Sequence, residues 1–395
     1  MIREDDCARP VWSREIRRLL WMQGLMNASH FMTVPLLALY MSANLHFGAA
    51  ALASVMSANL LSAQALPLVA GAIADRFGSH MIITLGLFLR GVGFLGFGFC
   101  DGVMAWVCFA MIAGTGVACY EGGVYGVFGR QPKTCLSALF AANNQMLNTG
   151  AAVGPIIGGL AGLADVRAAF AVSAILFISL STVAFREKFG SSTIFKRQPA
   201  LMSLKVAATH RGLWRLIAIS LPWFFLFPQL YVAFPMYAGQ IAGPYAASAV
   251  YVVNGVVGLT FIVAIRRWLV RMDPASLTTG AYLAAGVAFA SVAMLRGIEW
   301  FLLFIVAYTL IETILLPTLE TMTASLATEG SQGTFFGVLS AVGALGGAAG
   351  YFAGSWLILN RTPVETWLTL GSVGMLGFLV SALLLRIPKG KPSLS

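Results

Sequence analysis

Apolar residues run for stretches of about 20, the length a helix needs to cross a bilayer, then stop at short polar or Gly/Pro-containing breaks and resume. The pattern predicts helical spans at about 18–42, 49–74, 81–99, 103–127, 136–163 and 166–185, then 213–239, 245–265, 275–295, 299–325, 334–360 and 364–386. The one polar interruption of any length, Arg186 to Arg215, separates two sets of six. The expected organisation is an N-terminal six-helix bundle (1–185), a cytoplasmic linker (186–212) and a C-terminal six-helix bundle with a short cytoplasmic tail (213–395). The fold class is therefore all-α integral membrane, with twelve transmembrane helices in two pseudo-symmetric bundles. A shift of 196 residues superimposes Gly150, Gly154 and Gly158 on Gly346, Gly350 and Gly354, which supports a parallel duplication. Transporters built in this way place the substrate near the midplane between halves that rock against each other.

Composition agrees: the 395 residues are 58% hydrophobic and only 10% charged, with mean hydropathy +0.83. The net charge of +10 follows membrane topology and does not point to nucleic acid. With both termini taken as cytoplasmic, the basic residues outside are Arg167, Arg296 and Arg361, and Arg90 lies within span three. The positive-inside rule thus predicts a multi-pass protein of the plasma (bacterial inner) membrane with both termini in the cytoplasm. The charged N-terminus does not look like a cleaved signal peptide. Five cysteines, Cys7, Cys100, Cys108, Cys119 and Cys135, have no metal or disulfide spacing. Gly91, Gly93 and Gly96 match G-x-G-x-x-G inside an apolar span, without the strand and helix end that phosphate binding needs. No P-loop is present, and the expectation is of neither an enzyme nor a cofactor or metal protein.

Span five carries Gly150, Gly154, Pro155, Gly158 and Gly159. Glycines four apart form a side-chain-free stripe along which another backbone can approach, and Pro155 removes a backbone donor and predicts a bend. Between spans two and three lies Gly71-Ala-Ile-Ala-Asp75-Arg76-Phe77-Gly78-Ser79-His80, where Gly78 permits a tight turn, Asp75 can accept helix-end N–H groups and Arg76 can pair across. The first pattern, G-x-x-x-G-P-x-x-G-G, resembles the antiporter motif of the drug/proton antiporters of the major facilitator superfamily. The second resembles that superfamily's cytoplasmic loop signature, whose implied role is a latch between the halves. Ser79 and His80 replace its two usual basic residues, and Ala110 stands where the family's fourth-span Arg would be. The resemblance implies a twelve-span multidrug exporter, and it makes the glycine stripe an expected seam between the halves.

A charge at the bilayer centre costs about 2.5 to 3.5 kcal/mol on insertion scales, so intramembrane ionisable groups are functional candidates. Glu312, near the middle of span ten, is the first choice as proton carrier, with Glu320 and Glu121 closer to the cytoplasmic ends of their spans. A structural carboxylate paired with Arg90 or a backbone group is the alternative for Glu312. Gln23, Asn27 and His30, continued by Thr33, make a polar stripe on span one that should face the cavity or a neighbour; His30 could share in proton handling. Asn144 and Asn148 form a second stripe on span five, more than about 100° from the glycine face. Span seven places Pro222, Pro228 and Pro235 among Trp223, other aromatics and Gln229, which suits a broken helix lining a pocket for bulky ligands.

The expected function is proton-coupled export of small, partly apolar molecules by a protein that works as a monomer in the lipid bilayer. A dedicated exporter of one metabolite, such as a siderophore or sugar, is the alternative, and a membrane receptor or scaffold is a third class.

Overall fold

The computed structural model describes residues 12–65, 79–128, 133–162, 165–187, 189, 209–269, 272–326 and 332–385. The latch motif, Gly71, Asp75, Arg76 and Gly78, lies outside the described residues. Twelve spans occur in the expected order. Span one is Arg14–Phe31 plus Val34–Ala43, span two Ala49–Ala65, span three Ser79–Phe99, span four Val103–Phe128, span five Lys133–Gly162 and span six Val166–Glu187. Span seven is Arg211–Leu226, a 3-10 turn at Phe227–Leu230, and Ala233–Ala242. Spans eight to twelve are Pro244–Leu269, Pro274–Val292, Ile298–Leu326, Gln332–Asn360 and Pro363–Leu385. Large apolar side chains such as Leu160, Leu383 and Met294 stand exposed on the outside, the face a bilayer covers.

Each bundle packs by the same plan. Span one lies on five, two on four, three on four and six; six places further along, seven lies on eleven, eight on ten, nine on ten and twelve. The bundles meet where two packs on eleven and five on eight. Below, the side on which span one begins and span twelve ends is the termini side, and the other the distal side.

The glycine stripe is not the seam between the halves. A Cβ on Gly154 would lie 2.5 Å from the Ala28 carbonyl oxygen, and Gly150 and Gly158 abut the carbonyls of Gly24 and Met32, all in span one of the same bundle. The inter-bundle contact uses the opposite face of span five, where Ala152 meets Gly255 and Gly159 meets Ser248 of span eight. Two faces half a turn apart thus do two jobs. The repeat in span eleven behaves identically: Gly346 abuts Leu221 and Phe224, Gly350 the Phe225 carbonyl and Gly354 the Gln229 side chain, all in span seven. Pro155 is buried and the helix runs continuously through it, so the predicted bend is not a break.

Spans one and seven are both interrupted at matching depth, span one at Met32–Thr33 and span seven at Phe227–Tyr231. Interrupting a helix in a bilayer frees backbone groups that no water can satisfy. In span one the Thr33 hydroxyl donates to the His30 carbonyl at 3.0 Å, and Pro35, which has no N–H to leave orphaned, opens the second segment. In span seven the Gln229 amide donates to the carbonyls of Phe225 (3.0 Å) and Gly350 (2.9 Å). The span seven interruption agrees with expectation; the one in span one does not, because the run 18–42 reads as unbroken.

Span one is also tied at both ends to span six. Arg18 pairs with Glu187 on the termini side, while on the distal side Arg167 donates to the Tyr40 hydroxyl (2.7 Å) and to Asp101 (2.6 Å). The charged groups of these contacts are partly exposed, so solvent screens them and they tie the helices only weakly.

The packing generates one prediction. Gly154→Leu and Gly350→Leu drive a side chain into a facing carbonyl and are each expected to destabilise the protein by ~1 to 3 kcal/mol or more. Gly280 has open space where its Cβ would be, so Gly280→Ala is expected to be neutral or stabilising by up to ~1 kcal/mol. Thermal unfolding of the detergent-purified variants distinguishes the two outcomes.

Candidate functional site

Glu312 lies near the middle of span ten and is half-buried. Its carboxylate accepts a 2.9 Å hydrogen bond from Asn254 of span eight, whose amide also donates to Thr309 Oγ1 at 3.0 Å. The Thr309 hydroxyl in turn donates to the Ile305 carbonyl. Asn254 thus spends both amide hydrogens joining spans eight and ten, and it aims one at the carboxylate. Glu312 has no ion pair with Arg90, which belongs to the other bundle.

Tyr231 and Tyr308 lie within electrostatic reach of Glu312, and Tyr251 and Tyr351 lie within reach of these tyrosines. Tyr251 is buried, and its hydroxyl has no hydrogen-bond partner. Phe31, at the end of the first segment of span one, stands 6.5 Å from the Tyr231 ring and 6.0 Å from the Tyr251 ring. Rings from both bundles therefore meet at the level of the helix interruptions. On the distal side of these rings Leu39 of span one packs against Gly239 of span seven. On the termini side Glu121 and Glu320 are exposed, and spans four and ten share no extended packing. Tyr125 of span four lies within electrostatic reach of both carboxylates. The two bundles thus touch through Phe31, Tyr231 and Tyr251 at mid-span and through Leu39 and Gly239 on the distal side, with the half-buried Glu312 carboxylate within electrostatic reach of Tyr231.

The remaining predicted residues separate into groups. Gln23, 2% exposed, donates to Asn143 Oδ1 at 2.7 Å, and Asn27 donates to the Leu147 carbonyl at 2.5 Å. Both bind span one to span five. His30 leaves that face: its ring contacts Phe31 and Phe94 edge-on, at 5.2 and 6.1 Å, inside the first bundle. The stripe therefore faces neighbouring helices, because a hydrogen bond to an adjacent span satisfies a buried amide as well as a wet cavity does. Asn148 is half-buried, while the Asn144 side chain lies outside the described residues. Trp223 is fully buried, stacked 5.7 Å from Tyr308, and its indole N–H is unpartnered. Gln229 is fully buried as the amide that closes the span seven interruption. Tyr231 is one of the span seven aromatics singled out by the sequence, whereas Asn254, Tyr251, Tyr308 and Tyr351 are not; a lone Asn on span eight, one turn from Tyr251, is the available signal.

Comparison with known proteins adds a frame. A family model described as Major Facilitator Superfamily matches residues 19–351. Multidrug resistance protein MdtH of Salmonella paratyphi B is 24% identical over 367 residues, covering 88% of this chain and 89% of that protein. Among solved structures, the POT family transporter PepTSo superposes with a TM-score of 0.80 at 16% identity, over 95% of this chain and 98% of that one. The nucleoside transporter NupG superposes with a TM-score of 0.78 at 12% identity, over 95% of this chain and all of that one. At such identities the structural matches speak for the fold.

The site generates a second prediction. Asn254→Leu removes both donated hydrogen bonds and inserts an apolar side chain of similar size. A hydrogen bond to a charged group is worth about 1.5 to 3 kcal/mol, so transport in proteoliposomes is expected to fall roughly tenfold or more. The melting temperature is expected to change by only a few degrees.

Proposed function

Because this chain belongs to the Major Facilitator Superfamily, we propose that it is a proton-coupled secondary transporter, exporting small, partly apolar molecules from the cytoplasm by alternating access in the manner of multidrug efflux. The observation that carries this reading is Glu312: a half-buried carboxylate near the middle of span ten, held by Asn254 and within electrostatic reach of Tyr231 and Tyr308. Burial in an apolar surrounding favours the neutral form of a carboxyl, and opening to water favours the charged form, so such a group can load and release a proton as access alternates. Similarity to a multidrug resistance protein over most of both chains supports the efflux direction.

The termini are assigned to the cytoplasm and the protein to the inner membrane, with 1–185 and 213–395 as the moving halves and 186–212 as their linker. On that assignment we read the lack of extended packing between spans four and ten on the termini side as an inward-facing state. A proton arriving from outside occupies Glu312 and favours this inward-facing state. A cytoplasmic substrate enters between Glu121 and Glu320 and competes with proton retention, and the halves then rock outward. The membrane potential adds about 2.3 kcal/mol per charge per 100 mV to inward proton movement. The protein is proposed to act as a monomer, with substrate, protons and lipid as its partners. A dedicated exporter of one metabolite, a siderophore or sugar, is the second reading. Buried Ala110 supports it, because its carbonyl accepts from Asn59 where drug/proton antiporters would carry an Arg.

Glu312→Gln is expected to abolish substrate-coupled proton flux in proteoliposomes; full flux in that variant would exclude Glu312 as the carrier. Expression in an exporter-deficient strain, with and without an uncoupler, separates the two substrate readings. Multidrug efflux gives uncoupler-sensitive resistance to several unrelated lipophilic cations, whereas a dedicated exporter leaves resistance unchanged and alters secretion of one compound.

A further inference from the structure

Spans three and four of the first bundle pack backbone to backbone. A Cβ on Gly86 would lie 2.5 Å from the Tyr120 nitrogen, and one on Gly93 would lie 2.9 Å from the Phe109 carbonyl oxygen. Their counterparts in the second bundle, spans nine and ten, leave a gap instead. Together with span eight they line a groove of about 500 Å³, within the size range of a small-ligand site. Leu277, Ala281 and Ile311 form its buried floor, and the exposed Gly280 and Ala284 open it to the face a bilayer covers. A Cβ on Gly280 would meet nothing within 4 Å. Ala288 and Ala307 also line a second hollow of about 200 Å³, so the gap between spans nine and ten continues toward the distal side.

The larger groove follows span nine from Ser276 to Ala288, about 18 Å of helix. One leaflet supplies roughly half of the ~30 Å hydrocarbon core, so the groove has the reach of an acyl chain of the termini-side leaflet. Among the described residues Ser276 is its one polar lining side chain, and that hydroxyl donates to the Asp273 carboxylate at 3.0 Å. A polar group inside the groove would go unpaired, so the buried part of an occupant has to be hydrocarbon. The chain passes from span eight to span nine at the termini-side end. The stretch from Arg266 to Asp273 carries Arg266, Arg267 and Arg271 against one carboxylate, which already accepts from the Ser276 N–H and hydroxyl. That excess of positive charge complements an anionic headgroup.

We propose that the groove between spans eight, nine and ten is a binding site for one anionic phospholipid of the termini-side leaflet, with an acyl chain in the groove and the headgroup at the arginine-bearing junction of spans eight and nine. The chain fills the gap that glycine contacts close between spans three and four. It also braces the helix that carries Glu312, because Leu310, Ile311 and Ile314 line the groove from span ten while the Glu312 carboxylate is engaged by Asn254. The inference requires a membrane-embedded chain and holds whatever the cargo or coupling ion.

The test adds phosphatidylglycerol or phosphatidylcholine with the same acyl chains to the detergent-purified full chain. Native mass spectrometry reads the lipid retained, and thermal unfolding reads its effect. Wild type is expected to retain one phosphatidylglycerol at least about fivefold over phosphatidylcholine and to melt several degrees higher with it. Ala284→Phe, which puts a ring into the groove, is expected to melt no lower than wild type without lipid and to lose both the retained lipid and the shift. Arg266→Gln with Arg267→Gln is expected to lose the preference between the two lipids. Wild-type retention of phosphatidylglycerol in Ala284→Phe overturns the site. Should that variant fail to fold, Gly280→Leu decides: lost retention supports the site and unchanged retention overturns it. Equal retention of the two lipids by wild type overturns the anionic assignment, and a protein dimer that Ala284→Phe dissolves would make the groove an interface between copies and overturn the inference. Loss of coupled flux in Glu312→Gln bears on the proposed function alone.

Discussion

The structure depends on one constraint: within a bilayer every backbone N–H and C=O must find its partner inside the protein. A transporter whose helices bend at mid-membrane has to satisfy the groups that bending frees. Here two side chains meet that need. The Thr33 hydroxyl caps the His30 carbonyl in span one, and the Gln229 amide bridges the Phe225 and Gly350 carbonyls in span seven. Because Gln229 reaches a carbonyl that the glycine stripe of span eleven leaves bare, the interruption in one helix and the absence of side chains on its neighbour belong to a single solution. Between the two interruptions, Phe31 and Tyr231 meet across the bundles.

Local packing and the proposed chemistry are coupled through this arrangement. The glycines hold spans one and five, and spans seven and eleven, at backbone contact, which stiffens each bundle. Across the bundles the contacts include Ala152 on Gly255 and Leu39 on Gly239, where small residues and side-chain ends can slide. Asn254 and Glu312 lie on spans eight and ten of one bundle, so their hydrogen bond survives rigid-body motion of the halves while the water around it changes. That separation lets a single carboxylate keep its partner through both states of access.

Much of this was legible in the residue pattern, for reasons that also mark its limits. Span count and order could be read because bilayer thickness fixes the length of an apolar run. The span seven interruption could be read from Pro228 and Pro235, whereas Pro35 opens a segment without disturbing the apolar run around it, so span one looked whole. Spacing announced that Gly150, Gly154 and Gly158 share a face. It could not announce which helix takes that face, and the partner proved to be span one and not the other half. The depth of Glu312 was apparent from its place in span ten, yet its companions were not: four tyrosines and one asparagine scattered over spans seven, eight, ten and eleven share no spacing, and only the packing of those helices gathers them.

Span one is held to span six at both ends, through Arg18 and Glu187 and through Arg167, Tyr40 and Asp101. Span seven, its counterpart, carries no ion pair of that kind among the described residues. The duplication is therefore symmetric in geometry but unequal in compliance. A beam pinned at both ends can only bow, while one pinned by packing alone can swing. In the rocking motion proposed above, the distal contact between Leu39 and Gly239 would join a span one tied at both ends to its own bundle to a span seven held by packing alone.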